Sequence, residues 1–376
     1  MVPVSKSKCC GCGACANVCT LKAITMLPDS LGFLYPKVDT LKCVNCGRCL
    51  KLCPWSNKPQ AVNEIALPYA YASRHKDDVE VATSRSGASF IALADFILTK
   101  GGVVYGAGYD GHFMVKHKRA SNAMELCEFK GSKYVQSYMV DIFVKIVKDL
   151  KNGLSVCFSG TPCQVAAVKS YVPTRYQQNL YLVDVVCHGV GSPKVWDDYL
   201  YYVETKFGDS VEKVNFRDKE LFGWEAHRES FVINNKKRTF EYTYYDSIHF
   251  RPSCSNCIYA NLNRPSDVTL ADFWGVERVV PKYADNRGCN LILVNSTKGQ
   301  DWFNDVADNL ETQKVDVKDS LQFNLQFPTP QHPHHEQFQL DYEKNNFIYV
   351  MKKYCGWGMR NKVKRFYGKL ISKIMK

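Results

Sequence analysis

Two cysteine runs near the N-terminus constrain this chain more than any other feature. Cys9-x2-Cys12-x2-Cys15-x3-Cys19 and Cys43-x2-Cys46-x2-Cys49-x3-Cys53-Pro54 repeat one spacing. A 4Fe–4S cube needs four thiolates converging on its corners. A tight loop supplies three, and in two-cluster modules the fourth cysteine of each run ligates the other cluster. The spacing therefore predicts one cluster on Cys9, Cys12, Cys15 and Cys53, and another on Cys43, Cys46, Cys49 and Cys19. A zinc site closes with four ligands and needs no triple with a distant fourth. A disulfide framework belongs to a small secreted domain, and this chain has 376 residues. Cys53 precedes Pro54 whereas Cys19 precedes Thr20; proline is not a ligand, so only the local turn is expected to differ. Cys10 is a spare thiol that leaves a one-residue register choice open in the first run.

The opening residues, MVPVSKSK, lack the apolar stretch of a signal peptide. No segment of 18 apolar residues spans a membrane. The 17 cysteines are then expected as metal ligands and free thiols, not bridges, in a cytoplasmic protein. The formal charge of +12 falls to about +6 if three clusters are bound, because each core with its four thiolates contributes a net −2. The basic excess suits an acidic electron carrier or an anionic membrane face. With no nucleic-acid module motif present, nucleic acid is not an expected partner.

Residues 1–57 read as a ferredoxin-type α+β module. Its short strands, at Ala23–Met26 and Gly32–Val38, lie between the cysteine runs. Residues 58–68 read as a linker, and residues 69–322 as an α/β domain with a mixed, mostly parallel sheet. Apolar strands are expected at Tyr69–Ser73, Leu154–Ser159, Leu180–Val186, Val268–Gly275 and Asn290–Asn295. Helices are expected at Ala88–Thr99, Asp141–Leu150, Cys163–Tyr171 and Trp302–Leu310. Thr161 and Pro162 suit the N-cap and first turn of the third helix. Gly106-Ala-Gly-Tyr-Asp-Gly111 matches a dinucleotide-binding pattern, but His112–His117 after it reads as a strand. The pattern is therefore expected to be a glycine-rich hairpin. Short alternating runs over 211–244 look antiparallel. A tail is expected from 323 to 376. In it Val363, Phe366, Tyr367, Leu370, Ile371 and Ile374 lie at helical spacing opposite a lysine-rich face. Such a helix can lie on the inner membrane face or dock on the protein itself.

A second cysteine set, Cys163, Cys187, Cys254 and Cys257, follows strand ends or a polar C-x2-C loop. Ends of parallel strands converge at a ligand crevice, so a four-thiol site there is consistent with the spacing. Cys127, Cys157, Cys289 and Cys355 read as core or surface thiols.

From the cysteine module to about Asn295 the chain resembles the beta subunits of coenzyme F-420 hydrogenases and dehydrogenases. The residues that carry the likeness are Ser84-Arg-Ser-Gly-Ala88, Lys130-Gly-Ser-Lys-Tyr-Val-Gln-Ser137, Phe158-Ser-Gly-Thr-Pro-Cys-Gln164 and Asp184-Val-Val-Cys-His-Gly189. To these are added Phe216-Arg-Asp218, Arg251-Pro-Ser-Cys-Ser-Asn-Cys257 and Asp272-Phe-Trp-Gly275. The resemblance implies an FAD-binding electron-transfer protein and supports a third cluster on the second cysteine set. It also implies flavin contacts at Ser86, Gly87, Gly131, Ser132, Lys133, Tyr134 and Gln136. Small residues at a helix start, a lysine and an aromatic ring suit a flavin pyrophosphate and ring. Ala88 stands where many relatives carry glycine. His188 suits a proton donor or a hydrogen-bond partner of the adjacent cluster cysteine. The expected activity is electron transfer between the clusters and FAD, with an external carrier such as ferredoxin at one end. At the other end is a small molecule or coenzyme; relatives linked to surface-polysaccharide synthesis set one context for it. The rival expectation is an electron-transfer subunit that docks on a separate catalytic protein.

Overall fold

The computed structural model describes residues 4–56, 65, 67–239 and 242–358. β1 (Ile24–Pro28) and β2 (Leu34–Val38) pair antiparallel between the cysteine runs. Helices Ala14–Val18 and Arg48–Leu52 each carry the third cysteine of a run. They start at Gly13 and Gly47, which both take left-handed backbone (φ 81 and 73). The helices pack on each other, so the duplicated spacing folds into duplicated geometry.

Eleven further strands follow: β3 (Tyr69–His75), β4 (Val103–Asp110), β5 (Met114–Ala120), β6 (Val156–Gly160), β7 (Leu180–Val185), β8 (Lys213–Asn215), β9 (Ser230–Ile233), β10 (Lys236–Arg238), β11 (Val268–Asp272), β12 (Asn290–Val294) and β13 (Leu310–Val315). Eight form one sheet in the order β13-β3-β12-β11-β7-β6-β4-β5. Parallel pairing holds its centre, where β11, β7, β6 and β4 run the same way. Antiparallel strands flank both sides. β8, β9 and β10 make a separate antiparallel sheet.

The central strands alternate between two cores. Val156, Phe158, Leu180 and Leu182 face helices Ile142–Lys151 and Pro162–Tyr171. Cys157, Val183, Val268 and Leu270 face helices Ser89–Thr99 and Thr297–Val306. Strands covered on both faces need apolar residues at every position, which is why they read as unbroken apolar runs. The glycine-rich stretch is the β4–β5 hairpin, paired from Val104–Ala120 to Asp110–Met114. No helix opens after it, as a dinucleotide loop would require.

The structure departs from the sequence expectations at three places. The helix expected to run to Leu310 spans Thr297–Val306, and Leu310 instead opens β13 against β3. Helix Pro193–Phe207, unread in the sequence, buries Val195, Trp196, Tyr199, Leu200 and Val203. The segment after 322, expected as a tail, is part of the fold. Helices His335–Lys344 and Phe347–Tyr354 add Phe338, Tyr342, Val350 and Met351 to the core built on Trp196 and Tyr199. The basic helix expected at 362–374 and most of the 58–68 linker lie outside the described residues. Among the described residues no helix is long and apolar enough to cross a membrane.

The cysteine module docks on the sheet domain. Leu31 and Phe33, at 0 % and 1 % exposed, enter the core shared with helix Pro193–Phe207. Burial of each stabilises the contact by roughly 1.5–3 kcal/mol. Arg251, 1 % exposed, pins the same interface. Its Nε donates to Cys9 O at 2.6 Å, Nη2 to Leu34 O at 2.9 Å and Nη1 to Gln136 Oε1 at 2.8 Å. Its guanidinium lies 4.3 Å over the Tyr35 ring.

Candidate functional site

Cys9, Cys12, Cys15 and Cys53 line one small cavity of the cysteine module, together with Cys10. These are the four thiols grouped from the spacing, the fourth contributed by the second run. Burial pushes the Cys15 thiol up to about 12, and its neighbours Cys9 and Cys53 add to the shift. On the other side of the module Cys46 is exposed, and Cys19, Cys43 and Cys49 are half-buried. Burial raises Cys49, with Cys43 and Cys46 contributing. Among the described residues no three His, Cys, Asp or Glu side chains group as a single-ion site. A cubane spreads its four thiolates more widely than a lone zinc does.

The structure also brings the second cysteine set together. Cys163 sits in the first turn of helix Pro162–Tyr171. Thr161 starts that helix, and its backbone N–H donates to Gln164 Oε1 at 3.0 Å. Cys187 follows β7, and Cys254 lies in the 3-10 turn Pro252–Asn256, with Cys257 just after it. Burial raises Cys187, and Cys254, Cys163 and Cys257 each raise it further. Burial pushes Cys254 up to about 12 and Cys257 up to about 11. Thiols this reluctant to ionise would become thiolates only on binding a metal cation, with release of their protons. Cys10 lies between the two regions, a neighbour of both Cys12 and Cys163.

Next to Cys187 opens a cavity of about 640 Å³. It lies at the C-terminal ends of β6, β7 and β11, where an open parallel sheet places its ligands. Ser86, Gly131, Ser132, Lys133 and Tyr134 line it, as does His188. Burial pulls Lys133 down to about 7. Its Nζ donates to Lys130 O at 3.1 Å. Tyr134 stacks on Tyr244, with ring centroids 4.1 Å apart.

Two expected flavin contacts are not in the wall. Gly87 packs backward, where a Cβ would come within 2.4 Å of Ser73 O. Gln136 belongs to the docking interface: its Nε2 donates to Cys10 O at 2.7 Å and its Oε1 receives Arg251. Their motifs gave their neighbourhood but not the direction of their side chains. The helix start at Ser89 is also partly satisfied, since its N–H donates to Asn290 Oδ1 at 3.1 Å. Ala88, at that helix's N-cap, is held at φ 63, a conformation that favours glycine.

His188 is oriented by its neighbours. Asn324 Nδ2 donates to Phe327 O and Thr329 Oγ1. This turns Asn324 Oδ1 toward His188 Nδ1, at 3.2 Å. Nδ1 therefore carries the hydrogen in the neutral ring. The segment expected as a tail thus supplies residues to the site.

One part of the wall was not assigned from sequence. Arg85, Arg217, Asp272, Trp274 and His227 line the same cavity. Arg217 pairs with Asp272 and lies 5.0 Å over the Trp274 ring. Burial opposes the Arg217 charge, yet Asp272 raises it above its ordinary value. Burial alone would raise the Asp272 carboxyl, but Arg217 and Arg85 hold it below the usual range. Burial, with Arg217 beside it, lowers Arg85 to about 10. Asp272 is the last residue of β11. The strand-end rule that drew attention to Cys187 would have pointed to it as well.

Residues 153–318 match the family described as the C terminus of the coenzyme F-420 hydrogenase/dehydrogenase beta subunit. Residues 8–57 match a 4Fe–4S dicluster domain. No curated protein matches. Among solved structures, a chain from the F-420-reducing NiFe hydrogenase complex of Methanosarcina barkeri is similar at 15 % identity. That match covers 76 % of this chain and 90 % of the other, with a TM-score of 0.47. Residues 153–318 belong to the C-terminal family of the coenzyme F-420 hydrogenase/dehydrogenase beta subunit, behind an N-terminal 4Fe–4S dicluster domain, so the chain is an iron–sulfur protein of oxidoreductase type.

Proposed function

We propose that the chain is a flavoprotein oxidoreductase with an internal electron route from the dicluster module through a third cluster to FAD. One observation carries the reading: the cysteine sets form a continuous series. Cys10 neighbours Cys12 on one side and Cys163 on the other. Cys163 neighbours Cys254 and Cys257, and Cys187 of that set lines the 640 Å³ cavity. In this reading Cys163, Cys187, Cys254 and Cys257 hold the third 4Fe–4S cluster. The cavity, of a size typical for a cofactor site, takes FAD. Ser86, Gly131, Ser132 and Lys133 face its phosphates, and Tyr134 stacks on the cofactor. FAD supplies exchange between one-electron and hydride transfer. His188 holds a proton for the reduced product, steered by Asn324 and Thr329. The more exposed cluster, on Cys43, Cys46, Cys49 and Cys19, trades electrons with an external carrier such as ferredoxin.

A small molecule or coenzyme is the second substrate. The likeness to polysaccharide-linked relatives supports surface-glycan synthesis as its context. The rival reading, a carrier subunit with no substrate of its own, leaves the large cavity and its charged wall without a role. Anaerobic purification with iron, sulfide and flavin measured on one sample tests the proposal. About twelve irons and one FAD per chain are expected for three clusters. About eight irons would remove the third cluster, and a chain without flavin would favour the carrier subunit.

A further inference from the structure

Two sequence motifs, Phe216-Arg-Asp218 and Asp272-Phe-Trp-Gly275, take no part in the electron route. The fold brings them together in the cavity wall with Arg85. Arg217, 3 % exposed, donates to Asp272 and, at 3.1 Å, to Trp224 O. Its Nη1 reaches Tyr134 Oη at 3.4 Å. Its Nε is buried with no hydrogen-bond partner among the described residues. Arg85 donates to the carbonyls of Arg217, Trp224 and Ala226, and its Nε is likewise buried and unpartnered. Asp272 also accepts from Trp224 Nε1 at 3.1 Å. Behind this wall Lys219 donates to the carbonyls of Val81, Ser86 and Arg287.

Arg85 and Lys219 therefore stand near a carboxylate already paired with Arg217, beside an aromatic stack of Trp224 and Trp274, whose centroids are 4.9 Å apart. A buried positive excess is costly unless a counter-ion arrives. Two guanidiniums in the cavity wall match a carboxylate or phosphate in geometry as well as charge.

We infer that Arg85 and Arg217 form an anion subsite that takes the carboxylate or phosphate group of the small-molecule electron acceptor or donor. This rests on the reading that the cavity is the redox site. It narrows the substrate class to acidic molecules, and it gives the two motifs a role separate from the flavin-facing Ser86 and Gly131–Lys133. Asp272 holds Arg217 in place and keeps it charged. The Trp224–Trp274 stack strips water from the contact, which strengthens the ionic hydrogen bond.

The test is anion binding by the anaerobically purified, FAD-loaded full chain. Inorganic phosphate and acetate are titrated by calorimetry and by flavin absorbance. Wild type is compared with Arg85→Gln, Arg217→Gln and Arg217→Lys. Arg217→Gln leaves Asp272 unpaired and can fail to fold. Arg85→Gln strands no carboxylate, and Arg217→Lys keeps the charge. Saturable binding by wild type is expected, weakened at least about tenfold in Arg85→Gln and less in Arg217→Lys, at unchanged FAD per chain. No binding of either anion by wild type overturns the subsite. Loss of FAD in Arg85→Gln and Arg217→Lys also overturns it, since the guanidiniums would then serve a flavin phosphate. A wild-type chain that holds no flavin defeats the flavoprotein reading instead. The same titration, run on that chain, still reports on Arg85 and Arg217.

Discussion

Replacing Arg251 with methionine should lower the reduction potential of the inner clusters. The guanidinium is almost fully buried, and its three hydrogen-bond acceptors are neutral oxygens. Among the described residues no carboxylate pairs with it. A buried cation without a counter-charge is costly; here it lies between two cysteine sets that become anionic when loaded. Each reduction adds a negative charge, so the nearby cation favours the reduced state. A unit charge ~7 Å away at an effective dielectric of about 20 contributes ~2.4 kcal/mol. For a one-electron couple that is roughly 100 mV. Potentiometric titration followed by electron paramagnetic resonance should therefore show a drop of that order in Arg251→Met. Arg251→Lys should recover most of it, because lysine keeps the charge but not the three-way fork. A fully loaded Arg251→Met chain whose potentials move by less than about 20 mV, a shift of under half a decade in the equilibrium, would refute the argument.

Four further outcomes follow from the geometry. Lys133 titrates near 7 when free and higher once a phosphate pairs with it. FAD affinity should then be full below pH 7 and fall by up to about tenfold per unit above it, until the bound lysine also deprotonates; equilibrium dialysis should find Lys133→Gln weaker and flat with pH. His117 is buried and neutral, pulled by burial to about 4, so its contribution is whole above pH 6.5 and shrinks as pH falls toward 4. The loss approaches about 3 kcal/mol; urea midpoints at pH 7 and pH 5 should fall further apart in wild type than in His117→Asn. His188→Gln should cut two-electron turnover by about a hundredfold or more while iron, FAD and cluster reduction stay unchanged; equal turnover would remove it from proton transfer. Ala88→Gly relieves the left-handed backbone at the N-cap and should raise stability by about 0.5–1 kcal/mol, read from thermal or chemical unfolding.

The cysteine runs were legible because a cube demands a fixed spacing. The central strands were legible because burial on both faces leaves no polar positions. Helix Pro193–Phe207 was harder to see: its polar outer face, with Lys194, Asp197 and Asp198, breaks the apolar pattern into fragments. The packed segment 323–354 was mistaken for a tail because its buried residues are spread thinly among histidines and glutamines, and they face a core made by distant elements. Gln136 lay in a motif whose other members line the cavity, and sequence carries no sign of which way a side chain turns. The meeting of Arg217 with Asp272 depends on the return of β11 to the sheet centre, which no local pattern records.

The duplicated module is symmetric in sequence and unequal in freedom. Gly11 and Asn45 occupy matching places in the two loops, and both take left-handed backbone, at φ 69 and 53. At Gly11 a side chain would strike the Arg251 guanidinium, since a Cβ would sit 2.6 Å from Nη1. Its counterpart carries an asparagine on an exposed surface. The inner half of the duplication is thus locked to the shape of the domain it touches. The outer half can vary its loop without disturbing the fold behind it.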